Sequence, residues 1–163
     1  MKMIFIIFLF MIAAPLRAEP VSDETAVRNI IANEIATWNA GDAVGYSRDF
    51  AKAGTLTNIR GQFFTGYAAF LKIHEVIFSE MFKNTTLSQD IVSLTFLRPD
   101  IALVDTLTAV SGIAPGTPGV LKDDKGRLRT RLLQVVAKQD GVWKIVSYHN
   151  VDVKPGIPVP EPN

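Results

Sequence analysis

From Tyr67 onward the apolar residues recur every three or four positions. Tyr67, Phe70, Leu71, Ile77, Phe78, Met81 and Phe82 form one stripe, with Lys72, Glu75, Ser79 and Lys83 opposite. That spacing predicts an amphipathic helix over 67–82. At about 3.6 residues per turn, His74 lies at the middle of the stripe, so its ring faces protein or a cavity. An earlier stretch, "SDETAVRNIIANEIATWNAGD" at 22–42, repeats the pattern through Val27, Ile30, Ile31, Ile35 and Trp38. Ser22 or Asp23 can cap its start and Gly41 can end it. Asp42 then opens a short second helix whose apolar residues are Val44, Tyr46 and Phe50, and 55–66 reads as two short strands around Gly61.

Beyond Asn84 the period changes to that of strands. Runs occur at about 87–97, 100–111, 127–139 and 142–153, and Asp140-Gly141 between the last two is a hairpin signal. The connection at 111–126, "SGIAPGTPGVLKDDKG", is rich in turn residues but has no Gly-Lys-Ser/Thr, so it is not a phosphate-binding loop. Helices first and a strand meander afterwards predict an α+β domain in which helices cover one face of a curved antiparallel sheet. Strict alternation along the last strand puts Trp143, Ile145, Ser147, His149 and Val151 on its more apolar face, with Lys144, Tyr148, Asn150 and Asp152 opposite. His149 and His74, the only histidines, are both expected to face inward.

The termini change the picture of where the chain works. Residues 1–18, "MKMIFIIFLFMIAAPLRA", carry Lys2, an apolar run from Met3 to Ala14 and a small residue at Ala18. This is the layout of a secretory signal peptide cleaved after Ala18, and the run is shorter than the roughly 20 residues that span a bilayer. The expectation is a periplasmic or secreted protein with no stable membrane anchor after cleavage. With no cysteine in the chain, neither a disulfide nor a lipid-anchored N-terminus can form. Residues 19–153 suit one domain. The tail at 154–163 has four prolines in ten residues and is expected to be extended and partly mobile. Without Lys2 and Arg17, 16 acidic residues face 15 basic ones, which gives no electrostatic reason to expect nucleic acid as a partner.

Candidate chemistry is sparse. Histidine titrates near neutrality, so His74 and His149 are candidates to move a proton, to line a pocket, or merely to fill space. Asp105 shares a strand face with Ile101, Leu103 and Leu107. A carboxylate there must be hydrogen-bonded, paired or protonated, and Arg131 on a neighbouring strand is the candidate partner. That pair is either a pocket group or a structural ion pair at the sheet surface. Arg127, Arg129 and Arg131 alternate along one strand side. Trp38, Phe50, Phe63, Phe64, Phe78 and Phe82 supply aromatic surface for a core or a cavity. Two distant histidines without cysteine make a poor metal site, so no metal and no cofactor are expected. The triplet at 84–86, "NTT", matches a glycosylation acceptor, a pattern common by chance.

Taken in order, "WNAGD", "NIRGQFFTG", "HEVIFSEMF", "FLRPDIALVD" and "RLLQVVAKQDGVWKIVSYHNVDV" resemble the SnoaL-like, nuclear-transport-factor-2-like superfamily. The nearest match within it is the group named after SgcJ and EcaC. The resemblance spans about 22–153 and implies a cone-shaped roll (a cystatin-like fold), in which a strongly bent sheet wraps over a long helix and leaves a pocket at the wide end. The superfamily includes ketosteroid isomerase, scytalone dehydratase and polyketide cyclases, beside binding and association domains. Asn58, Gly61, His74, Arg98-Pro99-Asp100, Arg131 and His149-Asn150 match the group's pattern, whereas Leu133 stands where many members have threonine. The resemblance further implies a pocket protein for a small apolar or aromatic molecule, with Trp38, Phe50, Asn58, Phe78, Arg131 and Asn150 binding it. If the protein is an enzyme, cofactor-free isomerisation, dehydration or cyclisation would use His149, His74 or Asp105. The alternative is a non-catalytic association module, and a homodimer is expected.

Overall fold

A computed structural model describes residues 22–161. The leader expected over 1–18 lies outside the described residues. Helix α1 (Asp23–Ala40) begins at Ser22, whose side chain accepts from the Thr25 N–H, and stops at Gly41, whose φ of 67° is open to glycine at no steric cost. It buries Val27, Ile30 and Ile31 against the sheet. Helix α2 (Ala43–Ser47) is capped by Asp42 and ends well before Phe50. Phe50 instead opens strand β1 (Phe50–Thr57), which starts five residues earlier than the sequence pattern suggests. A β-carbon at Gly54 would sit 2.7 Å from the Phe50 ring, so glycine lets the ring fold back where the strand bends.

After β2 (Phe63–Thr65) comes α3 (Tyr67–Ser79), which lies against β1 and α2. Its buried residues, Phe70, His74 and Phe78, are spaced by four, the inward stripe expected from the sequence. The helix ends three residues short of the expected Phe82. Strands β3 (Thr86–Arg98), β4 (Ile101–Ser111), β5 (Leu128–Gln139) and β6 (Val142–Asp152) complete a six-stranded sheet in the order β2-β1-β6-β5-β4-β3. This is the expected mixed α+β architecture. One pair departs from the antiparallel expectation, since β6 returns beside β1 and runs parallel to it.

Two one-residue slips decide which side chains face the helices. In β3, Ile91 pairs with Thr106 but Ser93 pairs with Asp105, leaving Val92 as the extra residue. In β6, Ile145 pairs with Val136 but Ser147 pairs with Val135, leaving Val146 extra. A bulge of this kind reverses the phase of every residue beyond it. Trp143 and Ile145 therefore face the core before the bulge, while Tyr148 faces it afterwards and His149 turns to solvent. The tail is also tied down more than expected. Arg129 donates to the Pro160 carbonyl, and Glu161 pairs with Arg127, Arg129 and Lys125.

Candidate functional site

Between α3, the end of α1 and the inner sheet face lies a cavity of about 330 Å³. Its walls are largely apolar, with Leu56, Phe64, Ile73, Ile77, Val110 and Leu128 among them. Exposed Arg60, Gln62 and Lys72 mark its mouth. Pockets of this kind fix a ligand's orientation through a few placed polar groups, and here those groups come from every layer of the fold.

His74 is the first. Its Nδ1 lies 2.7 Å from the carbonyl oxygen of Phe70, one turn back. A carbonyl only accepts, so Nδ1 carries the proton and Nε2 is left with its lone pair. Nε2 has no hydrogen-bond partner among the described residues, and the residue lines the cavity. Burial beside Phe70 (4.2 Å between ring centres) and Tyr46 (4.6 Å) disfavours the imidazolium, and the pKa falls to about 4 despite the opposing backbone bond. At neutral pH the ring is an uncharged acceptor.

Tyr46 of α2 packs against it, and Tyr148 of β6 also lines the cavity, the two hydroxyls 3.0 Å apart. Burial raises both phenols above their usual range, so both stay protonated. A polar row crosses the inner face, in which Gln89 pairs with Thr108, Thr108 with Thr130, and Thr130 with Asp152 on four successive strands. The two threonine hydroxyls bond each other at 2.7 Å. Beside this row, Asn150 lines the cavity with its Oδ1 buried and without a hydrogen-bond partner among the described residues.

Deeper in the core sits Glu34, on the inward stripe of α1 between Ile30 and Trp38 but not among the residues expected from sequence. It is 1 % exposed. Gln89 donates to its Oε2 at 3.1 Å and Gln134 contacts its Oε1 at 2.6 Å. Burial outweighs these bonds and pushes its pKa up to about 8. The 2.6 Å contact has the length of an O–H···O bond. Turning the Gln134 amide over would let the Glu34 proton bond Gln134 Oε1, which otherwise has no partner among the described residues.

The site residues expected from sequence are distributed unevenly. His74, Trp38, Asn58 and Asn150 line the cavity. Trp38 also donates its indole N–H to Thr85 at 3.0 Å. Phe78 packs edge-on against Trp38 and Tyr46 in the core, and Phe50 stacks on Phe70 at 3.9 Å, so neither lines the hollow. Asp105 and Arg131 form a bidentate ion pair on the outer sheet face, with Arg131 about half exposed. In β4 the inward set is Ala102, Val104, Thr106, Thr108 and Val110, so Asp105 lies on the opposite side. His149 is exposed beyond the Val146 bulge, next to Leu133. The inward placement expected for His149 is thus corrected, and of the two readings open for Asp105 and Arg131 the structure has the ion pair at the sheet surface, away from the cavity in which the family resemblance placed them. His149→Ala is expected to change unfolding free energy by less than about 0.5 kcal/mol, as for other surface substitutions, measured by urea denaturation. A loss above about 1.5 kcal/mol would contradict the outward placement.

No group of three or more His, Cys, Asp or Glu side chains that could hold a metal ion occurs among the described residues. No described helix is long and apolar enough to cross a membrane.

A profile for the SnoaL-like domain matches residues 27–150. The chain belongs to the SnoaL-like domain family. Solved structures agree in fold. A domain of unknown function with a cystatin-like fold from Nostoc punctiforme is 23% identical, with a TM-score of 0.70, covering 83% of this chain and 80% of its own. A putative scytalone dehydratase from Novosphingobium aromaticivorans is 16% identical, with a TM-score of 0.66 and coverage of 86% and 91%. A ketosteroid isomerase-like protein from Erwinia carotovora atroseptica is 15% identical, with a TM-score of 0.63 and coverage of 80% and 95%. No curated protein matches. At these identities the SnoaL-like neighbours share the fold, and the chemistry has to be read from this chain's own cavity.

Proposed function

We propose that this SnoaL-like chain binds a small, mostly apolar or aromatic molecule in the hollow between α3 and the sheet. The observation that carries this is the cavity of about 330 Å³ whose apolar walls close around a neutral imidazole with an open Nε2. The names of structural neighbours, a putative dehydratase and an isomerase-like protein, suggest that cofactor-free proton transfer of the isomerase, dehydratase or cyclase type accompanies binding. His74 is the base such a reaction would use. General bases work best with a pKa near the working pH, and a group near 4 is a weak base there. Its stronger role is to accept a hydrogen bond from the ligand. The leader-like residues 1–18 support a periplasmic or secreted setting, and the order of motifs supports placement near the SgcJ and EcaC group. Exposed Leu133 and Val151 on adjoining outer positions of β5 and β6 support a second, compatible role in homodimerisation.

The test uses naphthol as the probe, with Trp38 in the cavity wall as reporter. Saturable quenching and a raised Tm are expected. Val110→Phe places a larger side chain in the hollow and should weaken naphthol at least about tenfold while leaving the fold intact. Unchanged naphthol affinity in that variant, or no binding of small aromatics by the full chain, overturns the reading.

A further inference from the structure

We infer that the pocket's ligand is an amphipathic acid, whose apolar body fills the hollow and whose carboxylate is held at the mouth by Arg60. The inference rests on the proposed binding role and adds the ligand's charge.

Its first support is the charge of the wall. Among the described residues, Arg60 and Lys72 are the only charged side chains lining the cavity, and no aspartate or glutamate lines it. Lys72 is already paired with Glu75 on its own helix. Arg60 is different. Seven arginines fall among the described residues, and six of them, Arg28, Arg48, Arg98, Arg127, Arg129 and Arg131, lie within 4.0 Å of a carboxylate. Arg60 has no acidic partner among the described residues. Its Nη2 donates to the Pro118 carbonyl at 2.7 Å and touches the Met81 sulfur at 3.5 Å. Nε and Nη1 remain without partners among the described residues. A guanidinium offers five N–H donors, and with Nη2 committed to Pro118 and Met81 the open donors of Arg60 at Nη1 and Nε, which share no fork, each offer a carboxylate a charge-assisted contact.

The second support is that Arg60 is held in place. Asn58 Oδ1 accepts from the backbone N–H groups of both Arg60 and Gln62, and its Nδ2 donates to Gln62 Oε1. Gly61, at φ 75°, closes the turn by donating to the Asn58 carbonyl. Asn58 therefore lines the cavity with its Oδ1 and one Nδ2 N–H committed within this turn, which makes it a positioning residue for Arg60. Pro118 fixes the far end of the guanidinium. Tethered at base and tip, the cation loses less freedom on meeting an anion than a free surface arginine does.

The experiment compares naphthoate with its uncharged isostere naphthamide on the full chain, by Trp38 quenching and calorimetry. Wild type should bind naphthoate about tenfold or more tightly than naphthamide, the worth of a charge-assisted hydrogen bond. Arg60→Gln should lower naphthoate to the naphthamide level and leave naphthamide itself unchanged. Lys72→Gln should keep the preference. Should Arg60→Gln fold poorly, Arg60→Lys retains the charge and is expected to retain part of the preference. Equal affinity for the two probes in wild type, or a preference that survives Arg60→Gln, overturns the inference while leaving the binding role standing. Failure of both probes and of naphthol overturns that role and the inference together.

Discussion

Between pH 6.5 and 8 the protein is expected to lose about 2 kcal/mol of stability, and Glu34→Gln is expected to abolish that loss. The cause is a carboxyl that folding forces to keep its proton. In the unfolded chain Glu34 ionises near 4.5, whereas in the folded core it does so near 8. Between those values the folded state binds the extra proton, so stability falls as pH rises, at about 1.4 kcal/mol per pH unit. Its contribution is complete below about 4.5 and gone above about 8. His74 acts in the opposite sense. Its folded pKa of about 4 lies below the unfolded value of 6.5, so its contribution is lost as pH falls from 6.5 to 4. The two slopes nearly cancel between 4.5 and 6.5, which leaves the decline above 6.5 as the visible sign of Glu34. Urea denaturation from pH 4 to 8.5 reads both. In Glu34→Gln the curve should rise to about pH 6.5 and then run flat. A variant that declines above 6.5 as steeply as wild type would mean that Glu34 ionises normally.

This arrangement explains how one domain keeps a hollow beside a polar core without collapsing. Glu34, Gln89, Gln134 and Thr106 tie α1 to β3, β4 and β5 by hydrogen bonds that leave few donors over. The same Gln89 forms part of the cavity wall. Helix and sheet are thereby bridged by a bonded polar cluster, one helical turn from Trp38, which packs with Tyr46 and Phe78 while Tyr46 stacks on Phe70. Polar groups in a low-dielectric core either find all their partners or cost stability. Beyond the polar groups at the mouth, a ligand therefore meets apolar walls and finds open inner acceptors at His74 and Asn150.

The helical stripe of α3 was legible because its period of three to four residues continues without interruption, and it placed His74 correctly. The four long strands were legible for the same kind of reason. What alternation could not reveal was the Val146 bulge, which depends on how β6 pairs with β5 and leaves no mark in composition. Before the bulge the inward reading of Trp143 and Ile145 holds. After it, Tyr148 and Asn150 take the inner face in place of Ser147 and His149. Asp105 could be read as a pocket group or as half of a surface ion pair because its strand neighbours are apolar, and the outer face of β4 is itself covered enough to bury Leu107. Glu34 was missed although its spacing marked it, four residues after Ile30 and four before Trp38 on the inward stripe of α1. On a helix rich in exposed polar residues, a single glutamate on the buried side reads as one more surface charge until Gln89 and Gln134 are seen across from it.

Phe70→Ala is expected to be the most damaging single truncation around the site, costing about 3–5 kcal/mol. The ring is 1 % exposed, stacks on Phe50 at 3.9 Å and lies edge-on to Tyr148 at 5.7 Å. Its removal would join the space it fills to the existing hollow, and the polar groups nearby would let water enter. His74 reports that entry. The alanine keeps the carbonyl that accepts from Nδ1, so the tautomer survives while the burial that depresses the pKa is relieved. The imidazole should then titrate nearer its ordinary 6.5 than 4, a shift that proton NMR of the ring can follow. With less of the His74 term left to offset Glu34, stability should rise on acidification from pH 6.5 to 4.5, where the wild type is nearly flat. If the alanine variant does not fold, Phe70→Leu keeps most of the volume and should move the titration in the same direction by less. A folded variant in which His74 still titrates near 4 would show that Phe70 is not what keeps water from the ring.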